Sequence, residues 1–219
     1  ATESGKLNHS SFSILPQGCY LLEKKPLDKE EADAFSKTFY EQNHLGPDDR
    51  LVMACGTIDS RKGFDWFVAL IRQYMETSPN AHSTHFVWIG AIGEKELFFH
   101  GLHDLRQQGI IGHFHHLDQM EDVRLPIRHA DIFLLCSRID PFPSVVLESF
   151  LMGIPVIGFD KGQGCREMIR ETGFGMIVPY LNLERTVDAI DDLIENPSKS
   201  QRVKDLGPSF IKEHFQYKD

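Results

Sequence analysis

Short apolar runs alternate with longer amphipathic segments along most of the chain. Each run is bounded by glycine, proline or polar residues, as buried strands are, and apolar residues recur at helical spacing between the runs. The predicted strands are 51–55, 84–89, 110–116, 131–136, 154–158 and 176–178. About six alternations predict an α/β fold, a Rossmann-like doubly wound parallel sheet with helices on both faces.

The ends of the chain depart from this pattern. Residues 1–12 are polar and lack apolar periodicity, so we expect a loose segment ahead of a single domain over 13–219. The last helical stretch, 200–217, contains a glycine and a proline at 207–208, and we expect it to break there.

Ligands of doubly wound folds bind at the carboxyl ends of the strands. Three loops are predicted to meet at that edge, at 56–63, 136–148 and 159–164. The third loop contains Gly162 and Gly164, which would allow a ligand to approach the backbone closely. A flexible surface turn is the alternative for this loop.

The loop 136–148 leads into a short apolar helix. Pro143 cannot donate a backbone hydrogen bond, and Ser144 is a good N-cap. Val145 and the two residues after it would then expose free amides at the helix start. Such amides, together with the positive end of the helix dipole, attract anions such as phosphate.

Glu148 is an acid within this otherwise apolar helix. With Ser144 as N-cap, it occupies the fourth helical position, one residue too late for a capping box. A carboxylate among apolar side chains needs a partner. Either an internal cation, the solvent edge or the hydroxyl groups of a ligand would supply one, and the spacing favours none of them.

The loop 56–63 has the layout of a phosphate-binding turn, because it joins a strand to a helix and carries glycines. It reads G-T-I-D-S-R-K-G, and therefore lacks both the dinucleotide fingerprint and the Walker spacing. Arg61 and Lys62 are its cations, and a basic pair of this kind is usually only solvated charge.

Histidines concentrate at 113–116. His113 and His115 would point to the same side of a strand, where a metal site is conceivable. His115 and His116 are consecutive and point apart, and nothing fixes further ligands. We therefore predict no metal.

Composition narrows the classes of function. The net charge of −9 argues against a non-specific nucleic-acid binder, which needs a basic surface. No apolar run approaches the roughly 18 residues of a spanning helix, and no signal peptide is visible. The cysteines form no C-x-x-C pair, so buried free thiols in a cytoplasmic protein are expected. Because the chain starts at Ala1, we expect it to be processed or to be part of a longer protein.

The stretch D-P-F-P-S-V-V-L-E, residues 140–148, resembles the E-P-F-G-x-x-x-x-E signature of retaining glycosyltransferases of family 4, which have the GT-B fold. The resemblance covers about 14–216, the C-terminal half of such an enzyme. It implies a donor-binding domain whose N-terminal acceptor domain is absent. Asp140 would lie against the donor sugar and Glu148 would bind the ribose.

The same resemblance implies roles in the other loops. Lys62 and Gly63 match the family's G-R-L-x-x-x-K-G segment, which begins here at the donor-site candidate Gly56 and whose cations bind the donor diphosphate, but Thr57 replaces the arginine. Loss of this charge-assisted contact should cost ~1.5–3 kcal/mol unless Arg61 or Arg138 compensates.

Further donor contacts are implied around the helix start and the third strand. The segment Pro143, Ser144 and Val145 would face the diphosphate and sugar, with Pro143 removing one amide where the family has glycine. His116 and Leu117 would lie near the base.

The implied catalytic residues are Asp140 and Lys62. The whole protein would transfer a sugar, with retention, from a UDP- or GDP-type donor to a glycan or lipid-linked acceptor. No cofactor and no metal are expected, because the family stabilises the departing diphosphate with cations and helix amides. The isolated domain is expected to be inactive, and the whole protein would be cytoplasmic, with peripheral contact at the inner face of the membrane left open.

Two alternatives remain at this stage. One is a nucleotide-sugar epimerase related to the GT-B group, which would release a changed sugar nucleotide without an acceptor. The other is a non-catalytic nucleotide-sugar-binding module. Thr57 and the shorter acid Asp140 favour the latter.

Overall fold

The computed structural model describes residues 27–215 and contains a six-stranded, wholly parallel sheet. The expected loose segment 1–12 and the start of the domain at 13 lie outside the described residues. The strands are β1 Arg50–Cys55, β2 Thr84–Ile89, β3 Phe114–Leu117, β4 Ile132–Leu134, β5 Val156–Phe159 and β6 Gly175–Val178. Their order, β3-β2-β1-β4-β5-β6, confirms the predicted doubly wound sheet.

Helices cover both faces of the sheet. They are α1 Lys29–Gln42, α2 Phe64–Thr77, α3 Lys95–Gln107, α4 Arg124–Ile127, α5 Ser144–Leu151, α6 Arg166–Thr172, α7 Leu183–Glu195 and α8 Pro197–Phe215. Alternate side chains of β1 enter different cores, as the period of a strand requires. Val52 and Ala54 pack with α2, α3 and α7, whereas Leu51 and Met53 pack with the other helices.

Aromatic packing fixes α2 against the sheet. The Phe64 and Phe67 rings meet Trp88 edge-on, at centroid distances of 5.1 and 5.2 Å, and all three side chains are buried. Such pairs contribute ~0.5–1.5 kcal/mol each beyond the area that they bury. Because α2 begins directly after the loop 56–63, this packing also fixes where that loop ends.

The sequence predictions for the start of the third strand and for a break in the last helix were wrong. Residues 111–113 form a 3₁₀ turn, from which Ile110 and Ile111 reach the core, so the third strand begins only at Phe114. The last helix continues through Pro208. A Cβ at Gly207 would lie 2.4 Å from the Phe150 carbonyl oxygen, so the glycine lets α8 pack closely against α5 beside the proline.

Three histidines form a stack near the amino ends of β2 and β3. The His85 ring stacks on His113 and His115, with centroid distances of 4.9 and 5.2 Å. His85 Nδ1 lies 3.0 Å from His115 Nε2, so one of these nitrogens carries a hydrogen and donates a hydrogen bond to the other. Burial, followed by the charges of His85 and His113, lowers the pKa of His115 to about 4. Within 27–215, no group of three His, Cys, Asp or Glu side chains is arranged to hold a metal.

We predict that this stack makes the fold acid-sensitive. The folded pKa of His115 lies below the ordinary value, so the unfolded chain binds more protons at intermediate pH and stability is lost as pH falls from about 6.5 towards 4. Urea unfolding between pH 7.5 and 4.5 should show a shallower loss for His115→Gln than for the wild type. His100→Gln, an exposed histidine on α3, should follow the wild type. Parallel curves for His115→Gln and the wild type would contradict this prediction.

Candidate functional site

Three loops meet at the carboxyl ends of β1, β4 and β5, which are neighbours in the sheet. They run from β1 to α2, from β4 to α5 and from β5 to α6. Arg138 N–H donates to the Arg61 carbonyl oxygen at 2.9 Å, which joins the first loop to the second. Asp140 N–H donates to the Gly162 carbonyl oxygen at 2.8 Å, which joins the second to the third.

Lys62 and Asp140 form an ion pair between the first two loops. Lys62 Nζ lies 2.7 Å from Asp140 Oδ2, and their side chains are only 19% and 11% exposed. The Lys62 stem passes over Gly56, where a Cβ would come within 2.9 Å of the lysine Cδ. The structure therefore brings together three of the residues that the sequence singled out. Two charges held in a partly dry setting interact strongly with any further charge that enters.

The start of α5 differs from the prediction by one residue. Pro143, not Ser144, is the N-cap, and Ser144 is the first helical residue. Proline fits because its fixed φ, here −71°, is combined with an extended ψ of 120°. Val146 N–H, predicted to be free, donates to the Pro143 carbonyl oxygen at 3.1 Å. The first two helical amides, Ser144 and Val145, have no partner within the helix and point out of its positive end.

Glu148 lies beside the end of β1. It is the fifth residue of α5 rather than the fourth, and it is 7% exposed. Burial, and then the charge of Glu148, raise the pKa of the Cys55 thiol to about 12, while Lys62 acts in the opposite direction. The charges of Glu148 and Lys62 therefore both reach the Cys55 thiol at the end of β1. The thiols of Cys55, Cys136 and Cys165 are free, as expected.

A cavity of about 260 Å³ opens at the carboxyl ends of β1 to β3. Gly56 and Thr57 line one side of it, and Gln119, Met120 and Val123 line another. These last three residues are not among the site residues predicted from the sequence. The only sequence signal for them is weak, because the segment 119–123 shows just two apolar residues separated by acids after a strand. A cavity with apolar walls and backbone polar groups suits a flat, polar-edged ligand.

His116 and Leu117, which the resemblance places near the base, lie beside this cavity but do not line it. His116 Nε2 is 2.8 Å from the Gly90 carbonyl oxygen, and the ring packs against Phe98. The Leu117 carbonyl oxygen accepts from Gly90 N–H at 2.9 Å. Both residues thus fix Gly90, which does line the cavity, and the loop beyond them supplies the wall.

Arg61 and Arg138, the two arginines that could compensate for the missing cation, are differently placed. Arg61 is exposed and lies 3.9 Å from an Asp59 oxygen. Arg138 donates two hydrogen bonds to Asp65, at 2.8 and 2.7 Å, and a third to the Ser60 carbonyl oxygen. Although burial acts to raise the pKa of Asp65, hydrogen bonds from Arg138 hold it below its ordinary value. Arg138 therefore fixes the loop before α2.

The glycines of the third loop meet protein backbone. A Cβ at Gly162 would lie 2.0 Å from the Arg138 carbonyl oxygen, and one at Gly164 would lie 1.6 Å from that of Pro141. Gly164 N–H also donates to the Asp140 carbonyl oxygen at 3.1 Å. The predicted close approach exists, but it is to the loop that carries Asp140, and it fixes that loop.

The family model described as "Glycosyl transferases group 1" matches residues 49–196. An uncharacterized glycosyltransferase of Haemophilus influenzae is 23% identical over 77% of this chain and 46% of its own length. The lipopolysaccharide core biosynthesis glycosyltransferase LpsE of Rhizobium meliloti is 25% identical over 73% of this chain and 44% of its own. The chain thus spans about half the length of the curated relatives it matches.

Solved structures share the fold. Anabaena Alr3699/HepE, in complex with UDP-glucose, superposes with a TM-score of 0.72 at 16% identity, over 86% of this chain and 50% of that one. The C-terminal domain of a glycosyl transferase group 1 family protein, LpcC of Francisella tularensis, superposes with a TM-score of 0.68 at 17% identity, over 88% of this chain and 95% of that one.

Between residues 27 and 215, none of the helices combines the length and the apolarity needed to cross a lipid bilayer.

The contact at Gly164 yields a stability prediction. Gly164→Ala should lower the free energy of unfolding by ~1–3 kcal/mol, because the added methyl group meets a backbone atom that cannot rotate away. Gly112→Ala is the matched control, since a Cβ there meets nothing within 4 Å, and it should change stability by no more than ~0.5 kcal/mol. Urea denaturation measures both, and equal effects would refute the packing argument.

Proposed function

The chain belongs to the glycosyl transferases group 1 family, and from this premise we propose that it is the donor-binding domain of a retaining GT-B glycosyltransferase of family 4. The observation that carries the proposal is the partly buried Lys62–Asp140 pair, which lies four residues along the chain from the open amides of α5. A cation and free helix amides together suit an anion. The adjoining cavity and Glu148 suit the remainder of a nucleotide.

Each part of a nucleotide sugar has a candidate partner. Lys62 and the amides of Ser144 and Val145 hold the diphosphate, while Asp140 contacts the sugar. Glu148 accepts from the ribose hydroxyl groups. The base enters the cavity beside Thr57. A uridine donor is the first choice, because a structural relative is in complex with UDP-glucose.

In the proposed reaction, this domain stabilises the diphosphate leaving group. As the bond from the anomeric carbon to the diphosphate breaks, negative charge grows on the phosphate oxygens. Lys62 and the positive end of α5 lie where this charge develops, and preorganised groups of this kind lower the barrier electrostatically. This arrangement operates without a metal.

The acceptor belongs to the complete protein. A sequence relative is named for lipopolysaccharide core biosynthesis, which favours a glycan or lipid-linked acceptor. Because the chain spans about half of its relatives' length, the other half would bind the acceptor and complete the active site. We propose that the domain alone binds donor but transfers no sugar.

A non-catalytic binding module is the second candidate. One observation favours it: Arg138, which would replace the cation lost at Thr57, is engaged by Asp65. An assay of the full-length protein decides between them. Donor turnover with release of UDP and an elongated acceptor supports the transferase, and binding without turnover supports the module. A changed sugar nucleotide, formed without acceptor, would instead identify an epimerase.

Nucleotide binding is the primary test. Isothermal calorimetry of this chain with UDP, GDP, ADP and TDP should reveal binding of at least one, most tightly UDP. EDTA should leave the affinity unchanged, because the proposed site holds the diphosphate with Lys62 and amides. No binding of any nucleotide at millimolar concentration would refute the donor site, and a strong loss in EDTA would refute its independence of metal.

Lys62 should contribute to diphosphate binding but not to nucleoside binding. Lys62→Met removes a charge-assisted contact of ~1.5–3 kcal/mol, so the Kd for UDP should rise about ten- to a hundredfold. Uridine, which lacks the phosphates, should bind as before. Lys37→Met removes an exposed lysine on α1 and serves as the charge-matched control. Equal losses for uridine and UDP would mean that Lys62 acts only on the fold.

A further inference from the structure

Gln163 is a buried polar residue that the proposed function does not use. It lies in the loop between β5 and α6 and is 2% exposed. Its Nε2 donates to the carbonyl oxygens of Leu135 and Ser137, at 2.7 and 3.0 Å, and its Oε1 accepts from Phe159 N–H at 2.7 Å. Both amide protons and the amide oxygen are therefore used, which is the full donor complement of the side chain.

These three bonds join the ends of two neighbouring strands. Leu135 and Ser137 follow β4 and lead into Asp140, whereas Phe159 ends β5. The backbone around Gln163 then holds Asp140 directly, because Asp140 N–H donates to Gly162 and the Asp140 carbonyl oxygen accepts from Gly164 N–H. The loop that carries Asp140 is thus held by Gln163 at Leu135 and Ser137, which precede Asp140, and by two backbone hydrogen bonds at Asp140 itself.

The position of Gln163 suits glutamine better than asparagine or glutamate. A Cβ on Gly158 would lie 2.7 Å from Gln163 Oε1, so a side chain there would displace the amide. Asparagine is one methylene too short to span the two strand ends. Glutamate has the length but, when ionised, would face two carbonyl oxygens with no proton to donate.

We propose that Gln163 is a positioning residue of the donor site. By holding the carbonyl groups before Asp140, it sets the Asp140 carboxylate at the distance from Lys62, 2.7 Å, at which the pair receives the sugar and diphosphate. The Lys62 side of the pair is tied to the same loop, because Arg138 N–H donates to the Arg61 carbonyl oxygen. This inference rests on the proposed function, since it assigns Gln163 to the sugar end of that site.

The test compares Gln163→Glu with Gln163→Met, two variants of similar volume. A protonated glutamate can donate to one carbonyl and accept from Phe159 N–H, whereas an ionised one cannot donate, and burial shifts the carboxyl pKa upwards. The glutamate variant should therefore approach wild-type behaviour at pH 5 and lose it by pH 8. The methionine variant should be impaired at both pH values.

Two readouts are compared with the wild type at each pH, at temperatures where circular dichroism shows every protein folded. Hydrogen exchange should accelerate at the Asp140 and Gly164 amides in Gln163→Glu at pH 8, with α2 unchanged. The Kd for UDP-glucose should rise about tenfold, that for UDP less, and that for uridine not at all. Glu171→Gln, on the exposed side of α6, is the control and should match the wild type.

The outcomes separate this inference from the proposed function. Unchanged exchange at Asp140, or equal losses for uridine, UDP and UDP-glucose, would overturn the positioning role. If the wild type binds none of the three ligands, the proposed function fails and with it the assignment to a donor site. The exchange at Asp140 would still decide whether Gln163 holds that loop.

Discussion

The carboxyl edge of this protein depends on backbone contact between three loops that belong to three neighbouring strands. Gly63, Gly162 and Gly164 each lie against a carbonyl oxygen of the middle loop, at distances that no Cβ could occupy. Because these contacts join backbone to backbone, they transmit the rigidity of the sheet to Lys62 and Asp140. A partly buried ion pair on flexible loops would lose more in ordering and desolvation than it gains. Here the ordering is supplied by the fold.

In the proposed donor site, that arrangement would let a pair of opposite charges serve an anionic ligand. Asp140 pairs with Lys62, so the lysine is neither unpaired nor free to turn towards solvent. An arriving diphosphate would share the lysine and face the amides that open α5, while Asp140 remains beside the sugar. In the proposed reaction, the site would offer a fixed cation and a fixed dipole at the place where charge grows as a glycosyl bond breaks, and fixed groups need no rearrangement during the reaction.

The sequence predicted the features that depend on local pattern. Alternating apolar runs yielded the strands and the sheet, and the residues between them placed Lys62, Asp140 and Glu148 near one edge. It could not predict contacts between distant segments. Whether Arg138 faces a ligand or Asp65 depends on α2, and what Gly164 approaches depends on Pro141. The N-cap lies at Pro143 rather than Ser144, and α8 runs through Pro208 while its Gly207 packs against α5.

The central claim, that a diphosphate is held by Lys62 and the amides at the start of α5, is tested most directly by titrating the ¹⁵N-labelled chain with UDP and following the assigned amide signals. The account predicts that the largest shifts occur at Ser144 and Val145, with further shifts at Gly56 and Thr57 beside the cavity. Shifts that leave these amides unchanged and concentrate instead in the groove between α6 and the end of α8 would contradict it.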